Sequence, residues 1–338
     1  MGPHPVCSVL IANYNGIGLI ADCIESVLAQ DCDFEVEIIV HDDASTDGSA
    51  EFIRSRYPQV KLMESAGNVG FCISNNRMVA QANGEYILLL NNDAELLPDA
   101  LRTLHSYASK SETAAILSLP QYAADSGELI DIGNALDLFL NPIPNRKTSI
   151  AASATVIGAC FWLPKSLWNE LGGFPEWFGS IAEDMYLCCV ARLWGYQVLA
   201  LPKSGFRHWL GASLGGARIV NAKLSSTVTR RALSERNKSF VLILSYPWPA
   251  LAIVLPLHLL LLFLEGIVLS VVKRDPGLFR KIYLACAIAL WSERKRLSAL
   301  RSVIQTKRQI GMWAYFSNVR WLPYKLEMLW RYGIPKIR

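Results

Sequence analysis

Between residues 6 and 119 the chain alternates apolar strand-like runs with amphipathic helical ones, and three of the runs end in a cluster of Asn and Asp. The runs are Val6 to Ala12, Glu35 to His41, Val60 to Met63, Glu85 to Asn91 and Ala114 to Leu119. Between the first two, Ile17, Ile20, Ile24, Val27 and Leu28 recur at helical spacing. A further helix is expected from about Phe71 to Asn83, and Pro98 suits the first turn of another. Such alternation is satisfied by βαβ units, which places the chain in the α/β class with a mainly parallel central sheet. The clusters Asn13-Tyr14-Asn15, Asp42-Asp43-Ala44-Ser45-Thr46-Asp47 and Asn91-Asn92-Asp93 fall at the carboxyl ends of the first, second and fourth runs. Ligands of open parallel sheets gather at those ends. A single cluster of this kind is a helix cap or a turn; three in equivalent places describe the rim of a site.

The second half has a different character. From Ser239 to Leu264 there is no Asp, Glu, Lys or Arg, and the apolar run continues past Glu265 to Val272. That exceeds the ~20 residues needed to cross a bilayer. Pro247, Pro249 and Pro256 interrupt helical hydrogen bonding, so residues 239–272 read as a membrane-embedded, bent or re-entrant segment. Residues 273–338 carry 15 basic and 3 acidic residues, leaving the rest of the chain net acidic. This basic tail interleaves Arg294, Lys295, Arg296, Arg301, Lys307 and Arg308 with Trp291, Trp313, Trp321 and Trp330, a pattern suited to an anionic membrane surface rather than to nucleic acid. A single span would put the tail opposite the α/β domain, against the positive-inside tendency. The segment is therefore expected to dip into or lie on the membrane, with domain 1–238 and tail on one side. No basic-then-apolar leader precedes the first run, which leads to the expectation of a cytoplasmic-face location. The 8 cysteines form no CxxC pair, so neither a disulfide framework nor a zinc site is indicated.

Chemistry concentrates in a few side chains. A hard oxygen ligand such as Asp93 suits Mg²⁺ or Mn²⁺, which take one or two protein carboxylates and complete their shell with phosphate and water. His208 would add a nitrogen ligand and favour Mn²⁺; a lone His is otherwise a packed or solvated side chain. Glu183-Asp184 opens a helix running through Leu187, Val190, Ala191 and Leu193. The two acids either complement the helix dipole or form a functional pair, with Asp184 accepting a proton and Glu183 orienting it or contacting hydroxyls. Residues 121–157, with Gly127, Gly133, Pro142 and Pro144, read as a less regular acceptor-side region.

The ordered motifs Val9-Leu10-Ile11-Ala12-Asn13-Tyr14-Asn15, Asp42 to Ser49, Asn68-Val69-Gly70-Phe71 with Asn75-Asn76, and Leu89-Leu90-Asn91-Asn92-Asp93 resemble glycosyltransferase family 2, and most of all its rhamnosyltransferase-like subgroup. Gly158-Ala159-Cys160, Leu171-Gly172-Gly173-Phe174, Glu183-Asp184 with Arg192 and Gly195, and His208 to Gly211 with Ser213 extend the resemblance to about residue 240. It implies a GT-A nucleotide-sugar-binding fold, a nucleotide-diphosphate sugar donor and an inverting single displacement. By the same resemblance Asp42 would contact the nucleobase, and Asp93 would bind metal. Asp184 would be the catalytic base, His208 would lie near metal or diphosphate, and Asn76 would line the nucleotide pocket. Asn13, Asn15, Asp43, Asn68, Gly70 and Asn92 complete the expected donor-binding set. Two departures stand out. Tyr186 replaces an acid that the subgroup often has two residues after the Glu-Asp pair, and the QxxRW motif of processive members is absent, which favours one sugar per encounter. Glu235-Arg236-Asn237-Lys238 before the apolar run resembles the membrane-attaching end of such enzymes and suggests a lipid-linked saccharide acceptor in cell-envelope glycan assembly. Polyprenyl phosphate as acceptor, or a non-catalytic nucleotide-binding protein of the same fold, are the alternatives.

Overall fold

A computed structural model of the protein describes residues 5–147, 151–209, 218–220 and 223–337. By packing, these fall into two units. The first takes the chain up to Asn134, Pro144–Ala191 and Tyr196–Trp209; the second takes Ala135–Ile143, Arg192–Gly195 and the chain beyond Trp209.

In the first unit the order is β1 (Cys7–Asn13), α1 (Ile20–Leu28), β2 (Val36–Asp42), α2 (Ser49–Arg56), β3 (Lys61–Glu64), α3 (Phe71–Gln81), β4 (Tyr86–Asn91), β5 (Ala94–Leu96), α4 (Ala100–Ala108) and β6 (Ala115–Ser118). The expected strands lie within one residue of these bounds. Short strands follow: β7 (Gln121–Ala123) and β8 (Leu129–Asp131), then β9 (Asn134–Asp137) and β10 (Pro142–Pro144), most of whose residues belong to the second unit, and β11 (Ala151–Ala152). Then come β12 (Cys160–Pro164), α5 (Lys165–Leu171), α6 (Glu183–Leu193), β13 (Gln197–Ala200) and β14 (Phe206–His208). The main sheet runs β11-β13-β6-β12-β4-β1-β2-β3. Pairing is parallel for β1 with β2, β1 with β4, β2 with β3 and β6 with β13, while β12 runs antiparallel to β4 and β6. Val9, Leu10 and Ile11 on β1 and Leu88, Leu89 and Leu90 on β4 are all buried, because helices cover both faces and an inner parallel strand has no polar side. In α1 the buried residues Ile20, Cys23, Ile24 and Val27 follow a helical stripe. Chain order reverses across β1: β2 lies on one side and β4 on the other, which creates a crevice at the strand ends. A second sheet, β5-β14-β7-β8, combines β7 and β8 of the region read as irregular with β5 and the strand that carries His208.

The second unit contains β15 (Arg218–Val220), β16 (Lys223–Ser226), α7 (Val228–Ser245), α8 (Ala250–Lys273), α9 (Pro276–Leu278), a π-helical turn Phe279–Leu284, α10 (Ala285–Ser292), α11 (Arg294–Thr306), α12 (Met312–Tyr315), β17 (Val319–Arg320), α13 (Tyr324–Tyr332) and β18 (Lys336–Ile337). The apolar run is not one segment. Ser239–Ser245 is the buried end of α7, Pro247 and Pro249 lie in the link, and Pro256 sits inside α8 without ending it. Ser239 Oγ meets His258 Nε2 at 2.8 Å and Arg231 pairs with Glu265, so α8 returns antiparallel along α7. The inner face of α8 is Leu251, Val254, His258, Leu262, Gly266 and Leu269. A side chain at Gly266 would strike the rings of Tyr283 and Phe279, so glycine allows that close approach. The outer face, including Ile253, Leu260, Phe263, Leu264, Val268 and Val271, is apolar and exposed. Beneath it Glu235 joins Lys238 at 3.1 Å and Lys325 at 2.7 Å, Lys325 reaches Glu265 at 2.8 Å, and Lys238 donates to Asn141 Oδ1 at 2.8 Å.

Candidate active site

The crevice at the ends of β1, β2 and β4 is held by one amide. Asn13 Nδ2 donates to Asp42 Oδ2 at 2.8 Å and Ser49 Oγ at 2.9 Å, while its Oδ1 accepts from Asn92 Nδ2 at 2.8 Å. Asn13 and Asp42 are buried, and Asp42 Oδ1 also accepts from Ser45 N at 2.9 Å. The knot brings Asn13, Asp42 and Asn92 together from three strands, with Asn13 as the brace. A Cβ on Gly16 would come within 2.3 Å of both Asn13 Oδ1 and Asn92 Nδ2, so a larger residue there would displace the two amide ends that form the knot.

Around this knot the loops are tied by carboxylates. Asp43, buried, accepts from Val69 N at 2.7 Å and Gly70 N at 2.8 Å, which fixes the turn that presents exposed Asn68 and opens α3. Gly70 has φ of +91°, a conformation costly for any other residue. Asn15 Oδ1 accepts from Thr46 N at 2.8 Å. Asp47 accepts from Ile17 N and from Ser49; burial pushes its carboxyl up, but these hydrogen bonds outweigh that and hold it below the usual range. Asn15 and Ala44 both have positive φ, 51° and 61°, and strained backbone of this kind gathers at binding sites.

Asp93 is 2% exposed and lies just past β4. Register places His208 of β14 opposite Ala94 of β5, and His208 Nε2 stands 3.0 Å from Asp93 Oδ1. On the far side of the ring Nδ1 is 2.8 Å from Gln121 Nε2. Within this row of side chains the buried oxygens Asp93 Oδ2 and Gln121 Oε1 have no hydrogen-bond partner among the described residues. With the amide nitrogen facing Nδ1, the ring is protonated at Nε2 and donates to Asp93. A half-turn of the amide presents Oε1 to Nδ1–H and leaves the Nε2 lone pair beside Asp93. In that tautomer Nε2 and the partnerless Oδ2 suit a divalent cation. Among the described residues no group of three or more His, Cys, Asp and Glu gathers as a metal cage, so the rest of such a shell would come from diphosphate and water. Asp131, opposite Gln121 on β8, is buried, and burial pushes its carboxyl up to about 7 against the pull of Gly133 N–H, His208 and Arg146.

Asp184 Oδ2 accepts from Gly158 N at 2.8 Å and Oδ1 from Met185 N at 2.6 Å. Gly158 adjoins Ala159, whose carbonyl accepts from Asn91 N at 3.1 Å, so Asp184 is tied to the strand end that carries Asp93. Ile181 and Ala182 precede it with φ of 73° and 67°. Glu183 is buried in the first turn of α6. Asn76 lies apart from the knot: it donates to Phe174 O at 2.9 Å and accepts from Phe174 N at 3.0 Å, clipping α3 to the Gly172-Gly173-Phe174 turn. Gly211 and Ser213 of the His208 motif lie outside the described residues. Sequence reasoning missed Gln121 and Gly16, and gave Ser49 no role although it closes the Asp42 to Ser49 motif. Gly16, beside an Asn cluster, left a weak signal, and Gln121 left none.

Residues 8–168 match Glycosyl transferase family 2. An N-acetylglucosaminyl-diphospho-decaprenol L-rhamnosyltransferase of Mycobacterium tuberculosis is 24% identical over 57% of this chain and 68% of its own. The chain spans only 25% to 31% of the length of the first other curated relatives it matches. Among solved structures, Staphylococcus aureus TarS 1-349 with UDP-GlcNAc superposes with a TM-score of 0.59 at 17% identity, covering 89% of this chain and 86% of that one. GalNAc-T7 with UDP, GalNAc and Mn²⁺ gives 0.60 at 15% identity over 99% and 59%. Residues 8–168, which carry the strand ends of the crevice, therefore make up a glycosyltransferase family 2 domain, and the surrounding fold is the GT-A fold.

Proposed function

We propose that the protein transfers one sugar, with inversion, from a nucleotide-diphosphate sugar to a lipid-linked saccharide at the cytoplasmic face of a membrane, using Mn²⁺ or Mg²⁺. The observation that carries the reading is the partnerless, buried Asp93 Oδ2 beside His208 at the crevice. Those two side chains would hold the cation, which when bound supplies positive charge against the leaving diphosphate. Asp42, Asp43 and Asn92 shape the donor side, with exposed Asn15 and Asn68 at its edge. Asp184, oriented by two backbone N–H groups, takes the acceptor proton, and Glu183 in the same helical turn flanks it. Neighbours of this fold that hold UDP-GlcNAc, or UDP with Mn²⁺, support the donor and the metal. The decaprenol-linked substrate named for the mycobacterial relative supports a lipid-linked acceptor.

Membrane contact is supported by α8, a helix of 24 residues whose apolar stretch has a mean hydropathy of 2.4 and is mostly unburied. Its two polar inner residues, His258 and Glu265, engage α7, while the outward side is apolar. A helix packed lengthwise on a charged partner fits the membrane plane better than a perpendicular span, because spanning would draw Glu235 and Lys238 into lipid. An in-plane helix also keeps both of its ends, and the basic tail, on one side. Calorimetry with donor and Mn²⁺ tests the core of the reading: wild type should bind only with metal and Asp93→Ala should not bind. Metal-dependent binding retained by Asp93→Ala would remove it. Product analysis with a polyprenyl-diphosphate saccharide against polyprenyl phosphate decides the acceptor.

A further inference from the structure

Within the second unit an open cleft of about 440 Å³ is lined by Trp248, Ser298, Arg301, Ser302, Gln305 and Arg308. Residues 298, 301, 302 and 305 occupy one face of α11 at i, i+3, i+4 and i+7, and Arg308 follows within a turn of its end. Part of this face has a structural task. Arg301 donates to Ile243 O and Gln305 Nε2 donates to Leu244 O at 2.9 Å, which satisfies carbonyls at the end of α7. That task engages one N–H of each and leaves Ser298, Ser302 and Arg308 without explanation. No carboxylate lines the cleft, yet two guanidinium groups share it. Like charges brought together without a counter-charge raise the free energy of the folded chain, and an anion between them removes the penalty. In keeping with this, burial and then Arg308 lower the Arg301 pKa.

The surroundings say which anion. Trp248, 68% exposed, stands in the link between α7 and α8, two residues before α8 begins. Beyond it the outer face of α8 continues with exposed Ile253, Leu257, Leu260 and Leu264, an apolar strip at helical spacing. A phosphate in the cleft would thus have apolar surface running away from it, and a tryptophan at the join, the position that indole rings take at a bilayer interface. We infer that this cleft binds the phosphate headgroup of an anionic lipid, with Arg301 and Arg308 as charge partners and Ser298 and Ser302 as hydroxyl donors. The inference rests on the reading of α8 as a membrane-plane helix.

The test uses the full chain and vesicles of phosphatidylcholine alone or mixed with phosphatidylglycerol, with binding read by flotation. Arg308→Gln leaves the α7 contacts of Arg301 and Gln305 in place, so its fold should persist by circular dichroism. Lys295→Gln, an exposed charge on α11 outside the cleft, serves as the equal-charge control. Binding to the mixed vesicles should weaken about fivefold in Arg308→Gln, since a basic residue near an anionic surface contributes on the order of 1 kcal/mol. Ser298→Ala should weaken it as well, and Lys295→Gln should weaken it less than either. Equal losses in Arg308→Gln and Lys295→Gln would mean diffuse attraction and overturn the site. Competition by millimolar inorganic phosphate that abolishes vesicle binding would assign the cleft to a free anion and overturn the lipid assignment. Vesicle attachment that does not change with phosphatidylglycerol in the wild type and is not weakened in Phe263→Glu would sink the underlying α8 reading instead. Donor binding measured without vesicles separates either failure from that of the transferase reading.

Discussion

Asp93, His208 and Gln121 form a row in which each group sets the state of the next. Gln121 is buried and its amide decides which ring nitrogen of His208 carries the proton. Gln121→Ala should therefore lower Mn²⁺ affinity about 10-fold or more, the range for partners that orient a metal-binding His. Calorimetry with Mn²⁺ and donor checks this, and ¹⁵N shifts of the His208 ring should report a changed tautomer. Asp184→Asn keeps the shape and the Gly158 contact but removes the basic oxygen. Turnover should fall at least ~100-fold with donor affinity nearly unchanged. Asp93 and His208 were legible in the sequence because both are chemistry-bearing types near strand ends. Gln121 was not, since a neutral amide after Leu119-Pro120 carries no spacing signal. Nor does sequence tell a bracing Asn from a contacting one. Asn13 and Asn76 look alike on paper, yet one knots three strands and the other clips a turn.

Among the elements, α7 shows how packing hides in composition. Its last turns, Phe240 to Ser245, are buried in the second unit, so the uncharged run from 239 onward merges a core helix end with a surface helix. The inner strands were readable to within a residue for the opposite reason: burial on both faces leaves an uninterrupted apolar run with polar ends. Glu235, one turn before that buried end, is the hinge of the ion cluster. Burial pushes its pKa up, but Lys238, Lys325 and Arg231 outweigh that and hold it well below the ordinary carboxylate range. A carboxyl depressed on folding contributes stability that is present above its unfolded pKa and is lost as pH falls toward the folded value. Glu235→Gln should cost about 3–5 kcal/mol near neutral pH, because Lys238 stays buried without its counter-charge. Denaturant titrations should also show the difference between variant and wild type shrinking below about pH 4.

For the molecule as a whole, the chain enters its second unit at Ala135–Ile143, at Arg192–Gly195 and again beyond Trp209. The middle visit is anchored: Arg192 donates to Tyr315 O at 2.6 Å, Trp194 Nε1 donates to Ile304 O at 2.9 Å, and Leu193 O accepts from Gln309 N at 3.1 Å. A chain cut after Lys238 would retain every residue proposed for the crevice but lose those acceptors. It should therefore unfold at lower denaturant than the full chain, or fail to yield soluble protein, because a buried guanidinium and indole N–H would be left unsatisfied. Chemical unfolding of 1–238 beside 1–338 decides it, and equal midpoints would show that the first unit stands alone. Seen from the gene, the threefold visit means that no single crossover point separates the donor-binding part from its helical companion. Recombination cannot exchange one for another intact. A transplant of residues 1–209 onto a different carrier has to bring new hydrogen-bond acceptors for Arg192 and Trp194, so the two parts diverge together.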